Sequence, residues 1–159
     1  MILNIGCGNN TYGDIRIDIN PNSAATDIYD VDKGLQLSDN IIDEIYERNI
    51  LEHLRNVGFH LDECYRVLKQ GGKITVITDN AECQRYYTFG THTGRYERLH
   101  PGDHHFSIFT KKHLQNHFEK AGFKDINIQY IKTDTIGRCI DLVTFQHPRI
   151  KVTATKRDE

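Results

Sequence analysis

The sequence predicts an α/β domain with a mostly parallel sheet, a C-terminal antiparallel hairpin, and a first helix that is reduced or absent. Three observations carry that expectation. Short β-like runs alternate with helical stretches almost from the first residue. Only nine residues, Gly6 to Asp14, separate the first two such runs, too few for an ordinary crossover helix. Two last β-like runs close the chain with only a short polar link between them.

Met1 to Ile5 is apolar and ends at Gly6, so a strand opens the chain. Ile15-Arg16-Ile17-Asp18-Ile19 alternates with period two and stops at Asn20-Pro21, a second strand followed by a turn. Ile41 to Tyr46 reads as a third strand. Leu51, Leu54, Phe59, Leu61, Cys64, Tyr65 and Leu68 recur mostly at three- and four-residue steps, which predicts helix through Leu68, stopped by Gly71-Gly72. Lys73 to Thr78 is the most β-like segment. Thr110 is placed to cap an amphipathic helix using Leu114, Phe118 and Ala121 and closing at Gly122. Strands near Ile126 to Ile131 and Cys139 to Phe145 follow. The expected division is a folded domain over 1–146, a long loop insertion over 80–109, and a charged tail over 147–159.

With 159 residues, 38% of them hydrophobic, one domain with a packed core is expected. Twenty basic against 22 acidic side chains give a net charge of −2, which argues against bulk electrostatic binding of nucleic acid. No apolar run approaches the roughly 18 residues of a membrane span, and no cleavable signal is expected. Cys7, Cys64, Cys83 and Cys139 lie far apart without paired spacing, so reduced thiols in a cytoplasmic setting are the expectation. Nine histidines are the one unexplained excess.

Gly6-Cys7-Gly8 follows directly on the first strand. Glycines there let backbone approach a ligand, at the end of a parallel strand where α/β sheets bind ligands, although they also serve ordinary tight turns. Asp18 ends the second strand, where a carboxylate can accept from both hydroxyls of a ribose; a turn residue beside Asn20-Pro21 is the plainer reading. Nine extended residues reach about 30 Å, enough for a parallel return without a helix, while a β-hairpin stays the alternative. Either way little helix N-terminus faces the loop, which disfavours a pyrophosphate-bearing dinucleotide.

Four ordered stretches, LNIGCG, RIDIN, IIDEIYERNILEHL and YRVLKQGGKITVIT, resemble the class I S-adenosylmethionine-dependent methyltransferases, in particular the small type 11-like members. FTKKHLQNHFEKAGF resembles the family's helix before the closing hairpin, so the likeness spans roughly residues 2 to 146. It implies a Rossmann-like fold, S-adenosyl-L-methionine as cofactor, and a cofactor site drawn from Asn4, Gly6, Cys7, Gly8, Asp18, Ile19, Asp30, Val31, Arg48, Asn49 and Leu51. Gly6, Cys7 and Gly8 would underlie the methionine portion, Asp18 would hold the ribose, Ile19 would meet the adenine, and Asp30 its amino group. Asn4 departs from the acidic residue common in the first motif, the first helix is lacking, and no lid segment is expected before the first strand.

His53 and His105 match histidines of the family near the cofactor and before the late helix, which makes them the candidate catalytic, acceptor-side bases. Helix-start and loop-packing roles are their plainer readings. His100, Asp103, His104 and His105 also resemble a ligand cluster, but their spacing lacks helical logic, and no metal is expected. The 80–109 loop, with Tyr86, Tyr87, Phe89, His92, Arg95, Tyr96 and Arg98, is expected to bind the acceptor. The predicted activity is methyl transfer to a small-molecule or glycan-like acceptor. Alternatives are an RNA or protein methyltransferase, for which Arg85, Arg95 and Arg98 speak, or a non-catalytic cofactor-binding partner subunit. A homo-oligomer or partner subunit is compatible with the sequence.

Overall fold

Nine residues suffice for a parallel return between the first two strands. The computed structural model describes residues 1–82, 104–131 and 149–157. β1 (Ile2–Ile5) and β2 (Ile15–Asp18) pair in parallel, Leu3 opposite Ile15 and Ile5 opposite Ile17. The connecting loop is tied back onto the strands at both ends. The Asp14 amide donates to the Ile2 carbonyl at 2.9 Å, and the Gly6 amide donates to Ile17 at 2.8 Å. Asn4 donates from its side chain to the Tyr12 carbonyl at 3.0 Å. These bonds replace those a crossover helix would make internally, so the first helix is absent and the hairpin alternative falls.

β3 (Asp27–Ile28), β4 (Ile42–Arg48), β5 (Leu68–Asp79), β6 (Lys124–Ile131) and β7 (Arg149–Thr155) complete one seven-stranded sheet. Its order is β3-β2-β1-β4-β5-β7-β6. β1 to β5 pair in parallel, and β7 runs antiparallel to both β5 and β6. Helices α1 (Val57–Val67) and α2 (Lys111–Lys120) touch one another and pack on β5, β6 and β7. Beneath them β5 and β7 alternate strictly: Ile74, Val76, Ile150 and Val152 are fully buried, whereas Thr75, Ile77, Lys151 and Thr153 are only half-buried. With Phe118, Leu114 and Leu61 they form the core.

Three expectations need correction. The helix expected from Leu51 begins only at Val57. Leu51–His53 is a single 3-10 turn, and Asn56 caps α1 by accepting from the Phe59 amide at 3.1 Å. Leu51 and Leu54 are apolar because the turn sits on the core, which imitates helical periodicity. Nor do Gly71-Gly72 stop the helix. Leu68 turns extended (ψ 139°) to end α1, and the glycines form a bulge inside β5, where pairing with β4 jumps from Ile42↔Leu68 to Glu44↔Lys73. Gly71 takes φ 76°, and its amide donates to the Lys156 carbonyl at 2.8 Å.

The third correction concerns the C-terminus. Arg149–Thr155, expected in a charged tail, is β7, an interior strand paired between β5 and β6. Its basic and hydroxyl residues alternate with Ile150, Val152 and Ala154, so composition hides a period of two. The expected strand near Cys139 to Phe145 lies outside the described residues. β3, the first two residues of the acidic stretch Asp27 to Asp30, is not among the expected strands; two residues carry no periodicity. No helix among the described residues is long and apolar enough to cross a membrane.

Candidate active site

A cleft of about 670 Å³ opens at the carboxyl ends of β1, β2 and β4. Its floor is the glycine loop. Gly6 has φ 66° and lies so close to Ile50 that a Cβ would meet that side chain at 3.0 Å. Gly8 has φ 52°, and a Cβ there would project into open space. Both positions therefore require glycine on backbone grounds, and Gly8 leaves its stretch of the cleft bare.

Asp18 is the central acid. Its Oδ2 accepts the Gly8 amide at 2.7 Å and its Oδ1 accepts the Asn20 amide at 2.9 Å. Each carboxylate oxygen keeps a further lone pair for an outside donor, so the group is oriented without being used up. Ile19, the next residue, is 68% exposed along the cleft, a flat apolar surface beside the acid. Asp30 lines the same wall. It caps the 3-10 turn Val31–Lys33 by accepting the Asp32 amide at 3.1 Å, and Val31 closes the base.

Arg48 and Asn49 reach the opposite side from the end of β4. Asn49 has φ 56°, and its amide donates to the Ile77 carbonyl at 2.9 Å, turning the chain toward His53. Three of the residues predicted for the cofactor do not reach the cleft. Leu51 is fully buried in the core, Asn4 is spent on the Tyr12 carbonyl, and Cys7 is buried. Burial, followed by the charge of Asp18, pushes the Cys7 thiol above its ordinary 9.0, so it stays protonated.

The segment 104–109 docks across the ends of β4 and β5. Phe106 and Ser107 donate their amides to the Glu52 carbonyl at 2.9 and 3.3 Å, and the Ala81 amide donates to Phe109. This brings His104 and Phe106 into the cleft beside His53. His53 Nδ1 lies 3.1 Å from the His104 carbonyl, which can only accept, so Nδ1 carries the hydrogen and Nε2 is the basic nitrogen. His105 does not line the cleft. It stands edge-on behind His53, ring centroids 4.5 Å apart at 90°, with its Nδ1 4.0 Å from Asp79 Oδ2. His100, Asp103 and the aromatic and basic residues expected to bind the acceptor, Tyr86 to Arg98, lie outside the described residues.

Several cleft residues escaped the sequence reading. Tyr29, Asp32, Ile50, Leu54, Arg55 and Phe106 all line it. The Arg55 guanidinium sits over the Phe106 ring at 4.5 Å, a pairing of segments fifty residues apart that no local pattern signals. Behind the cleft, Glu52 is buried and accepts from Thr78 Oγ at 2.7 Å. Burial, then the charge of Asp79, pushes its carboxyl from 4.5 up to about 7.

Residues 2–128 match the model of a family described as a methyltransferase domain. The chain belongs to this family, the class I S-adenosylmethionine-dependent methyltransferases. No curated protein sequence matches the methyltransferase significantly. Among solved structures it is similar to a Thermotoga maritima S-adenosylmethionine-dependent methyltransferase described as a possible histamine N-methyltransferase. That likeness has TM-score 0.74 and 16% identity, over 98% of this chain and 82% of the other. A putative methyltransferase from Haloferax volcanii, solved in complex with a methyltransferase activator, gives TM-score 0.74 and 12% identity over 99% and 82%. A Haemonchus contortus phosphoethanolamine N-methyltransferase gives 0.71 and 14%, covering 99% of this chain but 48% of its own. At these identities the structures establish the fold of the methyltransferase, a mostly parallel sheet closed by an antiparallel hairpin.

Proposed function

We propose that the cleft binds S-adenosyl-L-methionine along Gly6, Gly8 and Asp18, and that the enzyme transfers its methyl group to a small-molecule or glycan-like acceptor. The observation that carries this reading is the Asp18 carboxylate, held by two backbone amides and still able to accept from a ribose diol. The open surface over Gly8 fits the group, since nothing within 4 Å would oppose its approach. Ile19 offers an apolar face for the adenine, and Asp30 an acceptor for its amino group.

The bound cofactor supplies the electrophilic methyl carbon. The chain aligns the acceptor and takes a proton from it. His53 is placed for the second task, because its Nδ1–H is committed to the His104 carbonyl and Nε2 is the proton-accepting nitrogen. His105 acts behind it as a positioning group, pressed against the His53 ring and facing Asp79. Arg55, stacked on Phe106, presents a cation and an aromatic face at the acceptor side.

A near-neutral chain with no membrane-spanning helix among its described residues suits a cytoplasmic enzyme and a small acceptor better than a nucleic acid. The activator bound to the Haloferax relative supports a partner subunit as a further possibility for this chain. Titration calorimetry with S-adenosylmethionine and S-adenosylhomocysteine tests the core of the reading. Heat from both, lost in Asp18→Ala, is expected; silence from both ligands overturns it.

A further inference from the structure

One buried cluster lies apart from the cleft and has no part in the reaction. Glu47 on β4 is fully buried and points at α1, where His60 and Cys64 sit one turn apart on the sheet-facing side. His60 Nε2 lies 2.8 Å from Glu47 Oε1. Cys64 Sγ lies 3.3 Å from the same oxygen and 3.5 Å from the same nitrogen. The donor atoms of all three side chains fall within 4.8 Å of one another.

Hydrogen bonding alone satisfies this cluster incompletely. Glu47 Oε2 and His60 Nδ1 are buried without a partner among the described residues. A bare buried oxygen of a carboxylate is costly, the more so when the group is charged. An apolar trio of similar volume would pack here without that cost.

We propose that Glu47, His60 and Cys64 form a structural site for a divalent transition-metal ion, with zinc the best-suited occupant. The donor set of carboxylate, imidazole and thiol is one zinc uses, and a carboxylate binding through both oxygens raises three residues to four donor atoms. That arrangement also gives Glu47 Oε2 a partner, whereas His60 Nδ1 remains bare under either reading. At near-tetrahedral angles zinc spaces the imidazole nitrogen and the nearer carboxylate oxygen about 3.4 Å apart, and sulfur about 3.6 Å from either; the narrow bite of the second carboxylate oxygen distorts the tetrahedron. The two sulfur distances already approach this spacing, and the Glu47–His60 approach, at 2.8 Å, has to open by roughly 0.6 Å.

Charge balances as well. Burial and Glu47 raise the Cys64 thiol well above its ordinary range, so it is protonated without a metal. Burial disfavours a charged His60, yet the adjacent Glu47 outweighs it and the imidazole is raised above 6.5. On binding, the thiol hydrogen and the Nε2 hydrogen leave to solvent as protons. A thiolate, a carboxylate and an imidazole neutral at Nδ1–H then face the dication; two protons leave for one dication, so net charge at the site stays at zero. The ion would clamp α1 to the carboxyl end of β4, where Arg48 and Asn49 turn into the cleft. No CxxC spacing announces such a site; its trace in the sequence is His60-x-x-x-Cys64 on one helix face.

The test uses the full chain purified without chelating resin and dialysed into metal-free buffer. Elemental analysis is expected to find zinc equimolar with protein. After removal and replacement by cobalt, a thiolate-to-cobalt charge-transfer band is expected in the near ultraviolet. It should vanish in Cys64→Ala and persist in Cys7→Ala. Glu47→Gln keeps the side-chain shape and should weaken metal affinity at least about tenfold. Wild-type protein with neither zinc nor a cobalt band overturns the proposal. So does metal retained equally by Cys64→Ala and Glu47→Gln, which would place the ion elsewhere. Should Cys64→Ala fail to fold, the wild-type measurements and Glu47→Gln decide alone.

Discussion

The Gly8 amide donates to Asp18 Oδ2 across 2.7 Å, so the glycine loop after β1 and the acid ending β2 form one rigid unit. Each fixes the other at the cleft floor. The nine-residue connection survives without a helix partly because its first turn is anchored on the strand it leads to.

Asp18→Asn tests that unit. One oxygen becomes an NH2 group, which cannot accept the backbone amide or a ribose hydroxyl. Loss of a charge-assisted hydrogen bond costs about 1.5–3 kcal/mol, so S-adenosylhomocysteine affinity should fall roughly 10- to 100-fold. Calorimetry reads this directly, and unchanged affinity would remove Asp18 from the site.

The two histidines should separate kinetically. His53 lines the cleft whereas His105 lies behind it. His53→Ala is expected to lower kcat by about 10²–10³, with little change in cofactor affinity. His105→Ala should lower kcat less and move the acid limb of the pH–rate profile, because it removes the ring against which His53 is set. Equal losses with unshifted profiles would contradict this division of labour.

Much of this arrangement was legible because it is local. Gly6, Gly8 and Asp18 sit at strand ends, where spacing and chain chemistry place them; the same holds for the Thr110 cap, which accepts the His113 amide at 3.2 Å. What escaped is tertiary. Arg55 meets Phe106 only because the 104–109 segment crosses Glu52, and Leu51 carries a motif position whose side chain turns to the core. β7 escaped because Lys151, Thr153 and Thr155 give an interior strand the composition of a tail.

The end of β7 supplies a stability prediction. Lys156 is buried, and its ammonium donates at 2.8 Å to Asn40 Oδ1 and to the Tyr65 and Leu68 carbonyls. It closes the C-terminus of α1, where the helix dipole favours a cation. Lys156→Met removes the donor and leaves those acceptors buried. A loss of roughly 2–4 kcal/mol is expected in urea denaturation, with the m-value unchanged. The exposed Lys73→Met should stay within about 0.5 kcal/mol.

Glu52 gives the pH dependence. Its carboxyl is raised from 4.5 to about 7 in the fold, by burial first and by Asp79 second. Between those values the folded state holds a proton that the unfolded chain has released. Stability therefore falls as pH rises through that window, and ionised Glu52 is the destabilising form above it. A glutamine side chain mimics the protonated acid and can still accept from Thr78 Oγ. Glu52→Gln should thus match wild type near pH 4.5 and exceed it by roughly 1–3 kcal/mol at pH 8. Denaturation midpoints of both proteins across that range check the sign. A variant that loses stability relative to wild type as pH rises would show instead that the Glu52 charge is compensated in the fold.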